Sequence, residues 1–111
     1  MSSTRDLINS YLQALATARF GDVPFASEAE FYSPMLDEPL RGSEALVAGL
    51  EQAAGGMVDV ELVDLVVEGD RASARIHFTA AGTRVEVCDW FECRDGEIAS
   101  VRAFYDPRPF L

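Results

Sequence analysis

The chain has 111 residues, of which 49% are hydrophobic and 25% are charged, and this length and composition predict one folded domain over residues 1–111. Its net charge of −10 argues against binding to nucleic acid or to anionic membranes, because both require a basic surface. All nine basic residues are Arg and none is Lys, which excludes Schiff-base chemistry and a lysine general base.

The N-terminal residues and the two cysteines indicate the compartment. Residues 1–6 contain no apolar stretch of the signal-peptide type, and no segment is apolar over the length of a membrane span. Cys88 and Cys93 are five positions apart in one predicted strand, so they face opposite sides and cannot bond to each other within it. Free thiols are typical of a reducing cytosol, and we therefore expect a cytoplasmic protein.

The first predicted element is a helix from about residue 4 to about residue 19. Ser3 is a candidate N-cap with Asp6 three positions later, and apolar residues then recur at helical spacing. Tyr11 lies in the middle of this apolar stripe. Two interpretations stay open: a core tyrosine whose hydroxyl reaches a polar edge, or a hydroxyl donor directed into a cavity.

Two more helices are predicted in the first half of the chain. A short second helix should begin at residues 22–24, since proline is tolerated in the first turn. Residues 31–42 contain two prolines and predict a short extended segment, a loop and a return. The third helix should begin at Ser43 and stop at the glycine pair at 55–56.

The second half of the chain predicts four strands followed by a tail with two prolines. The phase of the apolar residues changes within the first of them, which indicates a bulge or a strong bend. Asp95-Gly96 is a strong hairpin signal before the last strand. Helices followed by a strand meander are typical of an α+β fold with a largely antiparallel sheet. The predicted strands cover residues 58–67, 72–80, 84–93 and 97–105.

The third predicted strand carries a carboxylate on its apolar face. Val85, Val87, Asp89, Phe91 and Cys93 alternate onto one side. A carboxylate directed into an apolar interior is costly unless it is paired, hydrogen-bonded or neutralised. Either Asp89 lines a cavity, or the strand twists it outward.

Three stretches of the sequence resemble one superfamily. They are Tyr11-Leu-Gln-Ala-Leu15 with Gly21-Asp22, Pro39-Leu-Arg-Gly-Ser-Glu-Ala-Leu46, and the set Val87-Cys-Asp-Trp-Phe91, Asp95-Gly96 and Ala99-Ser-Val-Arg-Ala-Phe-Tyr105. In order and spacing they resemble the nuclear-transport-factor-two-like superfamily, and within it the SnoaL-like polyketide cyclases and the ketosteroid isomerases. The resemblance spans nearly the whole chain and implies a cone-shaped, curved, mostly antiparallel sheet wrapped around three N-terminal helices, a cystatin-like α+β barrel.

The resemblance also implies a site. In ketosteroid isomerases a tyrosine of the first helix and a protonated aspartic acid of a late strand polarise the substrate oxygen, and Tyr11 and Asp89 resemble these two catalytic residues. The general-base aspartate of those enzymes precedes a proline, where this sequence has Ser33. We expect Ser33 and four further residues to contact the substrate: Tyr32, Val87, Phe91 and Tyr105.

The second face of the predicted sheet carries exposed apolar residues. Cys88, Trp90 and Phe104 fall on this face with a polar rim, and relatives commonly dimerise there, so we expect a homodimer. The only histidine, His77, falls on the same outer face by strand parity and is not a candidate base. One histidine and two opposed cysteines give no metal-ligand cluster, and we expect neither a metal nor a cofactor.

Three hypotheses for function follow. The first is a cofactor-free isomerase, cyclase or dehydratase that acts on a small apolar carbonyl compound, with Asp89 and Tyr11 polarising its oxygen. The second is a non-catalytic small-molecule-binding module with the same pocket. The third is a dimerisation domain with a filled cavity, in which Tyr11 alone satisfies Asp89.

Overall fold

The computed structural model of the protein describes residues 3–111 and shows an α+β fold. It contains two α-helices, six strands and a short 3₁₀-helix. In chain order these elements are α1 (Thr4–Thr17), β1 (Phe25–Tyr32), β2 (Leu40–Arg41), α2 (Ser43–Ala54), β3 (Met57–Glu68), β4 (Arg71–Ala80), β5 (Thr83–Arg94), β6 (Glu97–Phe104) and the 3₁₀-helix (Arg108–Phe110).

The strands form one curved sheet in the order β2-β1-β6-β5-β4-β3. Every neighbouring pair is antiparallel except β1 and β6, which run parallel, so the sheet is mixed and mostly antiparallel. β2 and β3 end the sheet on opposite sides, so the sheet stays open and the predicted cystatin-like α+β barrel is not closed. The cone shape stays a prediction.

The start of α1 follows the sequence prediction. Ser3 and Asp6 form a reciprocal capping box, in which the Ser3 side chain accepts a hydrogen bond from the Asp6 backbone N–H at 3.1 Å. The helix ends at Thr17, two residues before the predicted end, because Ala18 adopts a left-handed conformation (φ 57°) and its N–H donates to the carbonyl of Ala14.

The predicted second helix, beginning at residues 22–24, is wrong, and with it the total of three helices. The segment that follows is strand β1, Phe25–Tyr32, and its pairing with β6 begins where the backbone N–H of Ile98 donates to the carbonyl of Pro24 at 2.8 Å. Proline has no N–H to offer a sheet and is tolerated where a strand begins. Phe25, Ala26 and Ala29 are buried against the core, so tertiary packing overrides the local helix signal.

The four predicted strands of the second half are all present. The bend predicted for the first is confirmed, because β3 shifts register against β4 twice and Asp59 takes a positive φ of 53°. The predicted hairpin at Asp95-Gly96 is a tight turn in which both residues have positive φ. The tail leaves the sheet after Phe104, as the prolines predict.

The core lies between the two helices and the inner face of the sheet. The largest fully buried side chains come from α1, the connection after it, α2 and the inner strand positions: Leu7, Ile8, Tyr11, Phe20, Leu46, Ile76, Phe91, Ile98 and Val101. Within residues 3–111, no helix is both long and apolar enough to cross a membrane. The helices therefore cover one face of the sheet, as the sequence predicts.

Candidate functional site

A cavity of about 380 Å³ lies between the two helices and the inner face of the sheet. This volume is at the small end of the range for small-molecule sites. Its walls are mainly apolar, with a few polar groups. The lining residues are Tyr11, Leu15, Phe31, Ser33, Met35, Leu36, Leu40, Gly49, Leu50, Gln52, Ala53, Met57, Val87, Asp89, Ala103 and Tyr105.

Asp89 lies at the buried end of this cavity. Strand β5 places it opposite Ala74 of β4 and Ala103 of β6, so small side chains flank the carboxylate on both sides. The residue is only 4% exposed, and burial raises the pKa of Asp89 from its usual 3.8 to about 7. At neutral pH a large fraction of this carboxyl is therefore protonated and able to donate a hydrogen bond.

Tyr11 connects the cavity to the packed core. Its ring makes edge contacts with Phe20, Phe25 and Phe91, whose centroids lie 4.9 to 6.3 Å away. Burial, and then the negative charge of Asp89, raise the pKa of the Tyr11 hydroxyl well above its usual value. The hydroxyl therefore stays protonated and can act as a donor.

The polar atoms of Tyr11 and Asp89 are open to the cavity. Neither side chain makes a hydrogen bond to any part of the chain that the structure describes. Within the same residues, no fully enclosed polar side-chain atom lacks a partner. Both groups therefore reach cavity space, where a ligand oxygen could accept from them.

A second polar group lies in the same cavity. The Ser33 Oγ and Tyr105 Oη atoms are hydrogen-bonded at 2.8 Å, and the Met35 backbone N–H donates to the same serine oxygen at 3.3 Å. Ser33 follows β1, and Tyr105 follows β6. Both residues are half-buried, which places this pair nearer to solvent than Asp89.

The structure brings together five of the seven residues predicted from the sequence. Tyr11, Asp89, Ser33, Val87 and Tyr105 all line the cavity.

Tyr32 and Phe91 do not line it. Tyr32 lies on the outer face of β1, where the Arg102 guanidinium stacks over its ring at 3.8 Å and its hydroxyl donates to Glu30. Its neighbour Phe31 faces the cavity instead, because adjacent strand residues point to opposite sides. Phe91 is completely buried beneath Tyr11.

Sequence reasoning missed the helical and loop walls of the cavity. Leu15 and Leu50 lie on the apolar stripes of their helices, and that pattern is the same for a cavity wall and for a packed core. Met35 and Leu36 come from the loop after β1. Gly49 was also missed: a Cβ there would lie 2.5 Å from the Leu40 side chain, so glycine permits this close contact.

The outer face of the sheet carries the residues predicted for it. Phe104 is 58% exposed, Cys88 is exposed, and Trp90 is half-buried. His77 also lies on this face, where its ring and the Arg75 guanidinium contact the same Glu86 carboxylate.

The side chains of the described residues that could bind a metal ion do not form a cluster. Within residues 3–111, no group of three or more His, Cys, Asp or Glu side chains could hold a metal ion. The two cysteines are free and face opposite sides, with Cys88 exposed and Cys93 buried. Burial, and then the nearby Asp70, raise the pKa of the Cys93 thiol to about 11, so this cysteine is a packed core residue.

Solved structures with the same fold come from several organisms. An NTF2-like protein of unknown function from Cytophaga hutchinsonii is 24% identical, with a TM-score of 0.80 over 99% of this chain and 96% of that one. A steroid delta-isomerase from Pseudomonas aeruginosa is 15% identical, with a TM-score of 0.84 over 98% and 83% of the two chains. A provisionally assigned SnoaL-like polyketide cyclase from Jannaschia sp. CCS1 is 17% identical, with a TM-score of 0.81 over 96% and 88%.

These similarities show that the chain has the fold of these structures. No curated protein matches the sequence significantly. The model of one family, described as a domain of unknown function (DUF4904), matches residues 1–111. The chain therefore belongs to the DUF4904 family and has the fold of the NTF2-like proteins.

Proposed function

We propose that the protein binds a small apolar carbonyl compound in its cavity and polarises the carbonyl oxygen with Asp89 and Tyr11. The observation that carries this proposal is a buried carboxyl group with no partner in the described chain, facing an apolar cavity beside a tyrosine hydroxyl. Two protonated groups in an apolar site are a favourable arrangement for an oxygen that gains negative charge.

Enolisation is the chemistry that such polarisation supports. Transfer of a proton from the carbon next to the carbonyl to a solvent water or hydroxide leaves charge on the oxygen, and hydrogen bonds from Asp89 and Tyr11 stabilise that charge. A cofactor-free isomerase, cyclase or dehydratase would each use this step. A steroid isomerase and a provisionally assigned cyclase share this fold at low sequence identity, which supports such a role for the fold.

Binding without turnover is the second candidate, and one feature of the cavity favours it. Apart from Asp89, the described residues that line the cavity include no carboxylate and no histidine that could remove a proton from carbon. At the sequence position resembling the general base, the Ser33 hydroxyl is hydrogen-bonded to Tyr105. A cavity with oxygen-holding donors but no separate base suits a ligand-binding module.

Calorimetry with acetophenone at several pH values tests the shared part of both candidates. A carbonyl accepts a hydrogen bond from protonated Asp89, so we expect affinity to fall by about tenfold between pH 6 and pH 9. Asp89→Asn keeps an amide donor at every pH and should abolish this pH dependence. The exposed Asp37→Asn is the matched control. Unchanged wild-type affinity across this range would contradict the proposal.

Deuterium exchange then separates the two candidates. In D₂O, an enolising protein accelerates exchange of the acetophenone methyl protons, which proton NMR follows directly. A binding module leaves the exchange rate at its background value although the ketone is bound. Slower exchange in Asp89→Asn, with binding retained, would show that the acceleration depends on the Asp89 carboxyl, since the amide is the weaker hydrogen-bond donor.

We also propose that the outer sheet face forms a homodimer through Trp90, Cys88 and Phe104. Exposed Phe104 lies opposite Cys88, two residues from Trp90 on β5, and gives this face an apolar centre, with charged pairs such as Arg75 and Glu86 at its side. Sedimentation of wild type and Phe104→Glu tests this: the variant should be monomeric at concentrations where the wild type is dimeric. A monomeric wild type would contradict it.

A further inference from the structure

The cavity contains two separate polar centres, and the second centre limits which ligands the cavity can bind. The first centre is Asp89 with Tyr11 at the buried end, and the second is the hydrogen-bonded pair Ser33 and Tyr105. The remaining polar side chain of the lining, Gln52, is exposed.

One of the two O–H protons of Ser33 and Tyr105 is not used in their mutual hydrogen bond. Two hydroxyls carry two O–H protons, and their mutual hydrogen bond uses one of them in either orientation. The Met35 backbone N–H already donates to the serine oxygen and occupies one of its lone pairs. Neither hydroxyl makes another side-chain hydrogen bond in the described chain, so the remaining proton is available to a ligand in the cavity.

The sheet fixes the spacing of the two centres. Asp89 lies directly opposite Ala103, and Tyr105 follows Ala103 by two residues on the same side of the chain. Two residues along a strand span roughly 7 Å. Val87, two residues before Asp89 on β5, provides an apolar wall between the two centres.

We infer that the ligand carries a second oxygen acceptor, separated from the polarised carbonyl by an apolar skeleton, and that Ser33 and Tyr105 donate to it. This inference rests on the proposed function, because it takes the first oxygen to lie at Asp89 and Tyr11. The substrate class is thereby narrowed from carbonyl compounds in general to apolar compounds with an oxygen at each end.

Calorimetry with two ligands of similar size and shape tests the inference. 1,4-Diacetylbenzene has a carbonyl at each end, whereas 4′-ethylacetophenone replaces one of them with an ethyl group. We expect wild type to bind the diketone about five- to tenfold more tightly, above the twofold statistical advantage of its two equivalent ends, because it gains one additional hydrogen bond.

Variants of the second centre provide the control. Ser33→Ala and Tyr105→Phe each remove one hydroxyl and release the other from its partner, so each single variant should keep the preference for the diketone. The double variant has no hydroxyl left to donate and should lose the preference while binding 4′-ethylacetophenone as wild type does.

The outcomes separate this inference from the proposed function. If 4′-ethylacetophenone binds with dependence on Asp89 but the diketone binds no better, the proposed function stands and the second acceptor is wrong. If the preference survives in the double variant, or disappears in both single variants, the assignment to Ser33 and Tyr105 is wrong. If neither ketone binds wild type, the proposed function fails and this inference fails with it.

Discussion

Asp89 and Phe91 lie two residues apart on the inner face of β5, yet their surroundings differ. Phe91 is completely buried, and its ring meets the Tyr11 ring with centroids 4.9 Å apart. Asp89 is almost as buried, but its carboxyl faces a cavity of about 380 Å³. One strand thus contributes to a packed region and to an open region on the same face.

The neighbouring strands do not explain this difference. Small or medium side chains flank both positions, with Ala74 and Ala103 beside Asp89, and Ala72 and Val101 beside Phe91. The difference lies in the aromatic rings above the strand: Tyr11 of α1, Phe20 of the following loop and Phe25 of β1 cluster at the packed region. The packed region therefore stabilises the fold, and the open region is available for a ligand.

The largest expected effect comes from removing the aromatic ring at the packed region. Phe91→Ala should lower the free energy of unfolding by roughly 3–5 kcal/mol, since it leaves a cavity among rigid rings. Urea denaturation measures this loss. Phe31→Ala deletes the same ring at the open region, where Phe31 is half-buried. Phe31→Ala should lower the free energy of unfolding clearly less than Phe91→Ala does. Equal losses in the two variants would contradict the division into two regions.

The next effect is the pH dependence caused by Asp89. Its pKa is raised from 3.8 in the unfolded chain to about 7 in the fold, so the folded state binds more protons between these values and stability falls as pH rises through this window. Above pH 7 the buried, ionised Asp89 lowers the free energy of unfolding by about 4 kcal/mol. Asp89→Asn should therefore be more stable than wild type by up to this amount at pH 8, with the advantage vanishing near pH 4.

Urea denaturation of both proteins from pH 4 to pH 8 measures this difference directly. The exposed Asp37→Asn should follow the wild-type curve throughout. A stability difference between wild type and Asp89→Asn that stays constant across the range would show that the Asp89 carboxyl does not titrate within it.

The sequence predicted the sheet better than the cavity, for a physical reason. Strand parity is local, so it placed Asp89 and Val87 inside and His77, Arg75 and Phe104 outside without knowledge of the helices. Capping and hairpin signals are local too, and Ser3 and Asp95-Gly96 were identified correctly.

The cavity depends on tertiary packing, which local patterns do not contain. Residues 22–32 showed a helix-like proline start, but pairing with β6 makes Phe25–Tyr32 a strand and turns Phe31, not Tyr32, toward the cavity. The third hypothesis, a filled cavity with Asp89 satisfied by Tyr11, also depended on this packing. The structure has the cavity, and residues 3–111 show no Tyr11–Asp89 hydrogen bond.

A smaller effect on stability is expected from filling the open region. Ala103→Leu adds three carbons beside Asp89, into existing space, so the free energy of unfolding should change by less than about 1.5 kcal/mol. Acetophenone binding should weaken at least about tenfold, because the added side chain takes the ligand's volume. Ala45→Leu adds the same carbons on the exposed side of α2 and should leave binding unchanged.

The smallest effect on stability is expected at Tyr11, the residue that belongs to both regions. Tyr11→Phe keeps the ring that packs against Phe20 and Phe91 and removes only the hydroxyl, which has no partner in the described chain. Stability should therefore change by less than about 1 kcal/mol, whereas acetophenone affinity should fall about five- to tenfold through loss of one donor.

Calorimetry and urea denaturation of the same preparations separate the two roles of Tyr11. Tyr32→Phe removes a hydroxyl on the outer face, where it donates to Glu30, and should leave ligand affinity unchanged. A Tyr11→Phe protein that loses several kcal/mol of stability would place the hydroxyl among the groups that hold the core together. Retained affinity in that variant would leave Asp89 as the sole donor to the ligand oxygen, because Asp89 is the other protonated group at that end of the cavity.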